Sequence, residues 1–531
     1  MTTAAAPTLV GEKLARRPGR LGIMLFLAIL GGGIAFILWR LVLDLATEHA
    51  GSWVPYAGLA GALLIALGFE FVNGFHDTAN AVATVIYTHT LEPQIAVVWS
   101  GTWNFLGVMF SSGAVAFGIV SLLPVELILQ VGSQAGFAMV FALLTAAIIW
   151  NLGTWYLGLP SSSSHTLIGS IIGVGLANQF MATKTGTSGV DWAQATNIGK
   201  SLLISPLIGF FVAGLLLIAM RAVITDKRLY EAPKGNEPPP LWIRGLLMVT
   251  CTGVSFFHGS NDGQKGMGLI MLILIGIVPS AYALNHAVPA SQTAAFVATS
   301  RGTVDALSHY IPAGTNIVNP HDEIADYVRT RKYTPSTTLA MRQIVNDIAN
   351  ELSIYGQLSK VPTANVRNFR NDMYLVSEAL RMMKKSGQPA ISAPDWVVLD
   401  AYKKDIDGAT KFIPVWVKVA VALALGLGTM VGWKRIVVTV GEKIGKDHLT
   451  YAQGAAAELT AMATIGAADW FGLPASTTHV LSSGVAGTMA ANKSGLQWGT
   501  VRNLLLAWVL TLPVSILLAG GLFWLFRTLA K

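Results

Sequence analysis

What most constrains this chain is a series of long apolar runs. Residues 21–43, 53–72, 95–123, 137–157, 202–220, 241–257, 266–283, 416–433 and 504–526 each approach the ~20 residues a helix needs to cross about 30 Å of hydrocarbon. Shorter or interrupted apolar pieces follow Gly74, Pro160, Gly454 and Pro474. The pattern predicts an all-α integral membrane protein with about twelve membrane elements, several of them broken helices. Composition agrees, since 53% of the 531 residues are hydrophobic and 12% charged, about half the usual charged share of soluble proteins.

A net charge of +8 does not point to nucleic acid here, because the basic residues sit in short connections beside apolar runs rather than in one patch. Lys13, Arg16, Arg17 and Arg20 precede the first run, and Arg221, Lys227, Arg228, Lys234 and Arg244 bracket the Pro-rich connection 237–241. Both regions are expected on the cytoplasmic side. The first run exceeds the ~7–15 residues of a signal-peptide core and reads as an uncleaved helix. Cys251, the only cysteine, lies inside an apolar run, where the sulfur is read as packing and no intrachain disulfide can form.

The chain repeats itself. Gly74-Phe75-His76-Asp77-Thr78-Ala79-Asn80 follows an apolar run, and Gly259-Ser260-Asn261-Asp262-Gly263-Gln264-Lys265 does the same later, each with Gly three residues before Asp. Gly158-Leu159-Pro160-Ser161-Ser162-Ser163-Ser164-His165 is matched by Gly472-Leu473-Pro474-Ala475-Ser476-Thr477-Thr478-His479, with Gly173 and Gly487 eight residues beyond each histidine. Pro206 and Pro513 fall in the last run of each half. Such weak internal symmetry marks transporters that build a site between two halves.

Asp77 and Pro160 are 83 residues apart, Asp262 and Pro474 212, so the second half carries an insertion. Between about 285 and 410 the chain turns polar with helix-like patterns over 336–357 and 368–385, predicting a small soluble helical unit with a solvated charged surface. The resulting division is an N-terminal arm and extra helix (1–52), a first repeat (53–225), a connection (226–240), the start of the second repeat (241–284), the insertion (285–410) and the remainder (411–531).

An ionised Asp at mid-membrane costs about 2.5–3.5 kcal/mol on insertion scales, so Asp77 and Asp262 need compensation beside what reads as broken helices. Asp77 with Asn73 and Asn80, and Asp262 with Asn261 and Gln264, offer hard oxygen ligands for Na⁺, a divalent metal or a proton. The plainer reading, that each Asp caps a helix, is disfavoured by their equivalent positions. Pro160 and Pro474 end one helix and start another, which puts Ser162, Ser163, Ser164, Ser476, Thr477 and Thr478 at first turns rich in unpaired N–H groups. Two such cradles can surround a tetrahedral oxyanion with donors. Against this stands tight packing by small residues; the duplicated Pro-x4-His frame favours a site. His165 and His479 either orient hydroxyls or satisfy a backbone carbonyl. Lys265 either pairs with Glu70, Asp262, Glu458 or Asp469 or approaches the anion.

These two Gly-x-x-Asp motifs and two Pro-x4-His clusters resemble the Pit family of inorganic phosphate transporters, in its bacterial low-affinity branch, and the similarity covers most of 55–528 outside the insertion. The resemblance implies a multi-pass protein of the bacterial inner membrane, built of two inverted repeats, usually a homodimer among lipid. It further implies phosphate held between the halves by Ser162, Ser163, Ser164, Ser476, Thr477 and Thr478, with Asp77 and Asp262 shared between substrate and cation. Asn73, Asn80, Asn261 and His76 would attend the cation, with His165, His479, Lys265 and Gln264 in support. Sodium-coupled relatives read Gly-Ala-Asn-Asp-Val-Ala-Asn in both halves; here His76 and Gln264-Lys265 depart from that pattern. The departure favours H⁺ over Na⁺ and fits co-transport of a divalent metal with phosphate, possible ligands being Asp77 and Asp262; no cofactor is expected. Another oxyanion is an alternative substrate. An intramembrane hydrolase using Ser163 or Ser476 is a further alternative, against which no Ser–His pair with a third orienting group is evident.

Overall fold

The computed structural model describes residues 14, 18–46, 54–77, 79–129, 132–181, 190–233, 235 and 237–529, with residues 54, 55, 79, 80, 125 and 126 described by their backbone alone. Among the described residues every regular element is helical, with one isolated bridge between Gly445 and Leu496. Six helices are long and apolar enough to cross a membrane, and up to eight if each sharply bent pair counts as one span. One such pair is Pro93–Phe110 with Ala114–Val120, bent by 76°. The remaining elements are shorter helices packed among these.

One expectation is overturned. The run 241–257 and the run 266–283 as far as Ile277 form a single helix, Leu241–Ile277, and Asp262 lies within it rather than beside a break. The backbone has no need to open, because the polar residues between the two runs find side-chain partners and Gly259 lets another helix approach. A Cβ there would stand 2.1 Å from the Asn104 carbonyl oxygen. In the first half the helical residues Val54–Asp77 and Ala79–Tyr87 belong to one candidate span over Tyr56–Tyr87, with Thr78 itself outside the described residues.

Each half forms a helical hairpin, Gln134–Tyr156 with Ser163–Met181 and Tyr451–Trp470 with Thr477–Ala491. The Gly-Leu-Pro motif shapes both turns in the same way. Gly158 (φ +67) and Gly472 (φ +65) take the left-handed conformation, and the next residues, Leu159 and Leu473, donate their N–H back to the Thr154 and Ala468 carbonyls at 2.9 and 2.8 Å. Proline follows and blocks continuation.

The halves then exchange partners. Ser163–Met181 packs along Trp498–Leu529, and Thr477–Ala491 along Trp192–Val223. A Cβ on Gly173 would stand 2.2 Å from the Ile516 carbonyl oxygen, and one on the equivalent Gly487 1.9 Å from that of Phe210. Pro206 lies inside Trp192–Val223 and cannot donate to the Leu202 carbonyl; the Ser205 hydroxyl donates to it instead, at 3.0 Å.

The insertion comprises the helices Ala290–Ser308, Pro320–Thr330, Pro335–Tyr355, Thr363–Ser386 and Ala393–Thr410. Proline at a first helical position, a Thr334 capping box and left-handed glycines at 356 and 387 delimit them. Its two ends meet, with Asn285 N–H donating to the Ala409 carbonyl at 2.8 Å. Arg331 and Arg381 both pair with Asp191, which precedes Trp192–Val223. At the insertion's end of the molecule Tyr282 donates to Asp44, the C-terminal part of the first helix, at 2.7 Å. Leu14, before that helix, is buried in the same apolar cluster as Leu217, Met220 and Leu229.

Candidate functional site

The two hairpin turns bring hydroxyls from both halves onto one carboxylate. Thr478 Oγ1 donates to Asp77 Oδ1 at 2.8 Å, and the Ser163 hydroxyl donates to Asp77 Oδ2. Ser163 Oγ also lies 2.8 Å from Asn73 Oδ1 and 3.5 Å from Asp262 Oδ2. A hydroxyl has one proton to give, so these three acceptors compete for it. Asn73 in turn donates to Glu70, a fully buried carboxyl, at 3.4 Å.

Lys265 settles which carboxylate it joins. Its ammonium lies 2.6 Å from Asp262 Oδ1 and donates to the Ser164 hydroxyl, which itself donates to the Ala475 carbonyl at 2.7 Å. A single cation thus ties the second Asp to both hairpin turns, and the pair is buried from solvent. Burial makes such a pair sensitive to loss of either member.

The other hydroxyls divide by position. Ser162 and Ser476 are helix caps whose oxygens accept the N–H of His165 and His479, each at 3.2 Å. Thr477 Oγ1 is buried without a hydrogen-bond partner among the described residues. Ser163, Ser164, Thr477 and Thr478 are the hydroxyls of the two clusters that do not cap these helices.

His76 is bonded at both ring nitrogens, Nδ1 at 2.9 Å from Asp77 Oδ1 and Nε2 at 3.2 Å from Thr154 Oγ1. Thr154 reaches on to Ser161 Oγ at 2.9 Å. His258 Nδ1 lies 2.8 Å from Asn104 Oδ1, an acceptor, which assigns the proton to Nδ1 and leaves Nε2 as the basic nitrogen, 3.6 Å from Asp262 Oδ2. Asp77, His258 and Asp262 each bring one ligand atom within 4.8 Å of the others. Two oxygens and an imidazole suit a first-row divalent metal, and the carboxylates alone suit a proton or alkali ion.

The other residues expected at the site hold the following contacts. Asn261 donates to the Leu473 carbonyl at 3.0 Å and accepts from Ala475 N–H at 3.1 Å, so it clasps the second turn around Pro474. Gln264 is bonded to Asp469 at 2.7 Å, to the Ser260 carbonyl and to Val115 N–H. Among the described residues the His165 and His479 rings bond neither a hydroxyl nor a carbonyl; they face one another at 4.5 Å between centroids, and His479 stacks on Trp508 at 4.2 Å. The Asn80 side chain lies outside the described residues. Thr154 and Asn104 were missed, as was the engagement of buried Glu458 by the Thr84 and Thr250 hydroxyls. Only Glu458, as a carboxylate inside an apolar run, carried a readable signal.

A family model described as the phosphate transporter family matches residues 73–519. The low-affinity inorganic phosphate transporter PitA of Escherichia coli (strain K12) is 44% identical over 491 residues, 87% of this chain and 95% of that one. PitB of the same organism is 41% identical over 499 residues, 88% and 97% of the two chains. A solved structure, the sodium-dependent phosphate transporter, aligns at a TM-score of 0.48 with 18% identity over 89% of this chain and 99% of that one, too slight a likeness to bear on the fold. The family and these relatives are transporters, not enzymes, and Ser163 points at carboxylate and amide oxygens rather than at an imidazole, which removes the hydrolase reading. This multi-pass membrane chain belongs to the phosphate transporter family.

Proposed function

We propose that the chain carries inorganic phosphate across the bacterial inner membrane with a driving cation, protons in the first place, by alternating access between two inverted repeats. The observation that carries this reading is the convergence of Ser163 and Thr478, one from each half, on Asp77, with the Lys265–Ser164 contact beside them. These hydroxyls cannot serve Asp77 and a phosphate oxygen at once. When phosphate takes them, Asp77 loses its donors and its charge must be met by a cation or a proton, so the two ligands favour each other. Lys265 supplies positive charge toward the anion through Ser164 while remaining balanced by Asp262.

Protons fit better than sodium because His76 occupies a place beside Asp77 where an amide oxygen would otherwise help ligate Na⁺, and imidazole titrates near neutral pH. Phosphate itself carries a proton near neutral pH that a site carboxylate can accept, which separates it from sulfate. A divalent metal travelling with phosphate would find ligands in Asp77, His258 and Asp262. The exchange of partners between hairpin helices and final helices supports two interlocked repeats, and their inversion follows the family resemblance. The basic flanks of the first helix and of the 221–244 connection favour the cytoplasm for that end, which puts the insertion outside. Assembly as a homodimer rests on the family resemblance alone.

Uptake of phosphate by the purified protein in liposomes, with pH, sodium and magnesium gradients imposed one at a time, tests the proposal. Saturable uptake driven by an inward proton gradient is expected. Sodium-driven uptake would overturn the choice of ion, and absence of phosphate uptake under every gradient would overturn the function.

A further inference from the structure

The first helix, Arg20–Leu45, stands outside the repeat, and only its second half is seated against the body. Gly33 lies on Leu423, where a Cβ would be 2.5 Å from Cδ1, and Asp44 holds Tyr282. Its first half has no buried residue, whereas Gly33 and Leu41 of the second half are buried. Between this part and the body lies a groove of about 590 Å³, with Gly22 and Phe26 on one wall, Val98 and Trp155 on the other, and Lys434 and Arg435 also lining it. A cavity of this size is in the range that holds a small ligand. Its walls are largely apolar, and its two cations have no carboxylate partner among the described residues. Arg435 donates to the Tyr156 carbonyl at 2.6 Å and lies over the Trp155 and Tyr156 rings at 5.1 and 5.0 Å, while Lys434 lies 5.8 Å from the Trp433 ring centroid.

We propose that this groove holds an anionic phospholipid of the cytoplasmic leaflet, with its headgroup phosphate on Lys434 and Arg435 and an acyl chain along Gly22, Phe26 and Val98. Charge decides between lipids, because a neutral headgroup would leave two adjacent cations unmatched beside an apolar cleft. Position agrees, since the groove opens at the start of the first helix, the end that carries its basic flank. The groove also touches the transport machinery: Trp155 donates to the Gly432 carbonyl at 2.7 Å, and its neighbour Thr154 bonds His76.

The test counts lipids retained by the full-length protein, purified from membranes and exposed to phosphatidylglycerol or phosphatidylcholine, by native mass spectrometry. The wild type is expected to keep phosphatidylglycerol in preference to phosphatidylcholine. The double variant Lys434→Gln/Arg435→Gln should bind it about thirtyfold more weakly, at roughly fivefold for each basic residue near the membrane surface. Gly22→Phe should displace the chain without disturbing the helix, as no atom lies within 4 Å of a Cβ there. Lys227→Gln/Arg228→Gln, which removes the same charge elsewhere on that face, should leave binding as in the wild type. Equal retention by the wild type and the Lys434/Arg435 variant would overturn the proposal. So would equal loss in the Lys227/Arg228 control, which would reduce the effect to net charge, or displacement of the lipid by added inorganic phosphate, which would assign the cations to the free anion.

Discussion

Asp77 draws hydrogen bonds from Ser163 and Thr478, and each of these hydroxyls is a donor that phosphate would inherit. Removing one takes a hydrogen bond to a charged group from the bound anion, about 1.5–3 kcal/mol. Ser163→Ala and Thr478→Ala are each expected to raise the phosphate concentration for half-maximal uptake by about tenfold or more. Ser162→Ala, which removes a helix cap, should act on stability instead, by about 1 kcal/mol. Uptake kinetics together with thermal unfolding separate the two classes. His76 links Asp77 to Thr154, so His76→Asn should flatten the dependence of uptake on external pH more than it weakens phosphate binding. An unchanged pH profile would clear His76 of any part in proton movement. Which residues gather in the candidate site was readable where the residue type was unusual for a membrane and repeated, as with the two aspartates and the hydroxyl clusters. Thr154 and Asn104 were not, because single polar residues in apolar helices carry no sign of what they face.

The helices follow from apolar run length, and the hairpin turns from Gly-Leu-Pro, but the pairing of one half's hairpin with the other half's last helix is a matter of shape. It depends on glycines at close approaches. Gly487→Ala would set a Cβ 1.9 Å from the Phe210 carbonyl oxygen, which belongs to backbone and cannot step aside. A loss of stability of about 1–3 kcal/mol or more is expected, read as a lower melting temperature of the purified protein. Gly199→Ala, in Trp192–Val223 with nothing within 4 Å, should be neutral or stabilise by about 0.5–1 kcal/mol. Similar behaviour of both variants would mean that the close approach does not hold the halves together. The spacing of the two glycines from their histidines was legible, whereas their partners, some 350 residues distant in one case, were not. The fusion of two runs into Leu241–Ile277 escaped the sequence for a related reason: polar residues mark a break only when no neighbouring helix satisfies them.

Taken whole, the molecule is a membrane body with a helical unit clamped to one end. The helical character of that unit was plain from its amphipathic stretches; its seating was not, because it turns on individual ion pairs. Burial works against the Asp191 charge, yet the Gln194 N–H and the guanidinium groups of Arg331 and Arg381 hold its carboxyl below the usual range. A depressed carboxyl stabilises the folded form fully above its ordinary pKa of about 3.9 and loses that contribution as pH falls through the lowered value. Asp191→Asn should therefore lower stability by about 1–3 kcal/mol near neutral pH and by less below about pH 4, measured by thermal unfolding across pH. A constant difference at every pH would mean that the carboxylate charge does not seat the insertion. The contact between Asn285 and Ala409 reaches further than stability. Because the chain leaves the membrane body and re-enters it at almost one point, the whole unit between them can enter or leave a gene as a single cassette. Descendants that differ by its presence would keep the rest of their architecture in register.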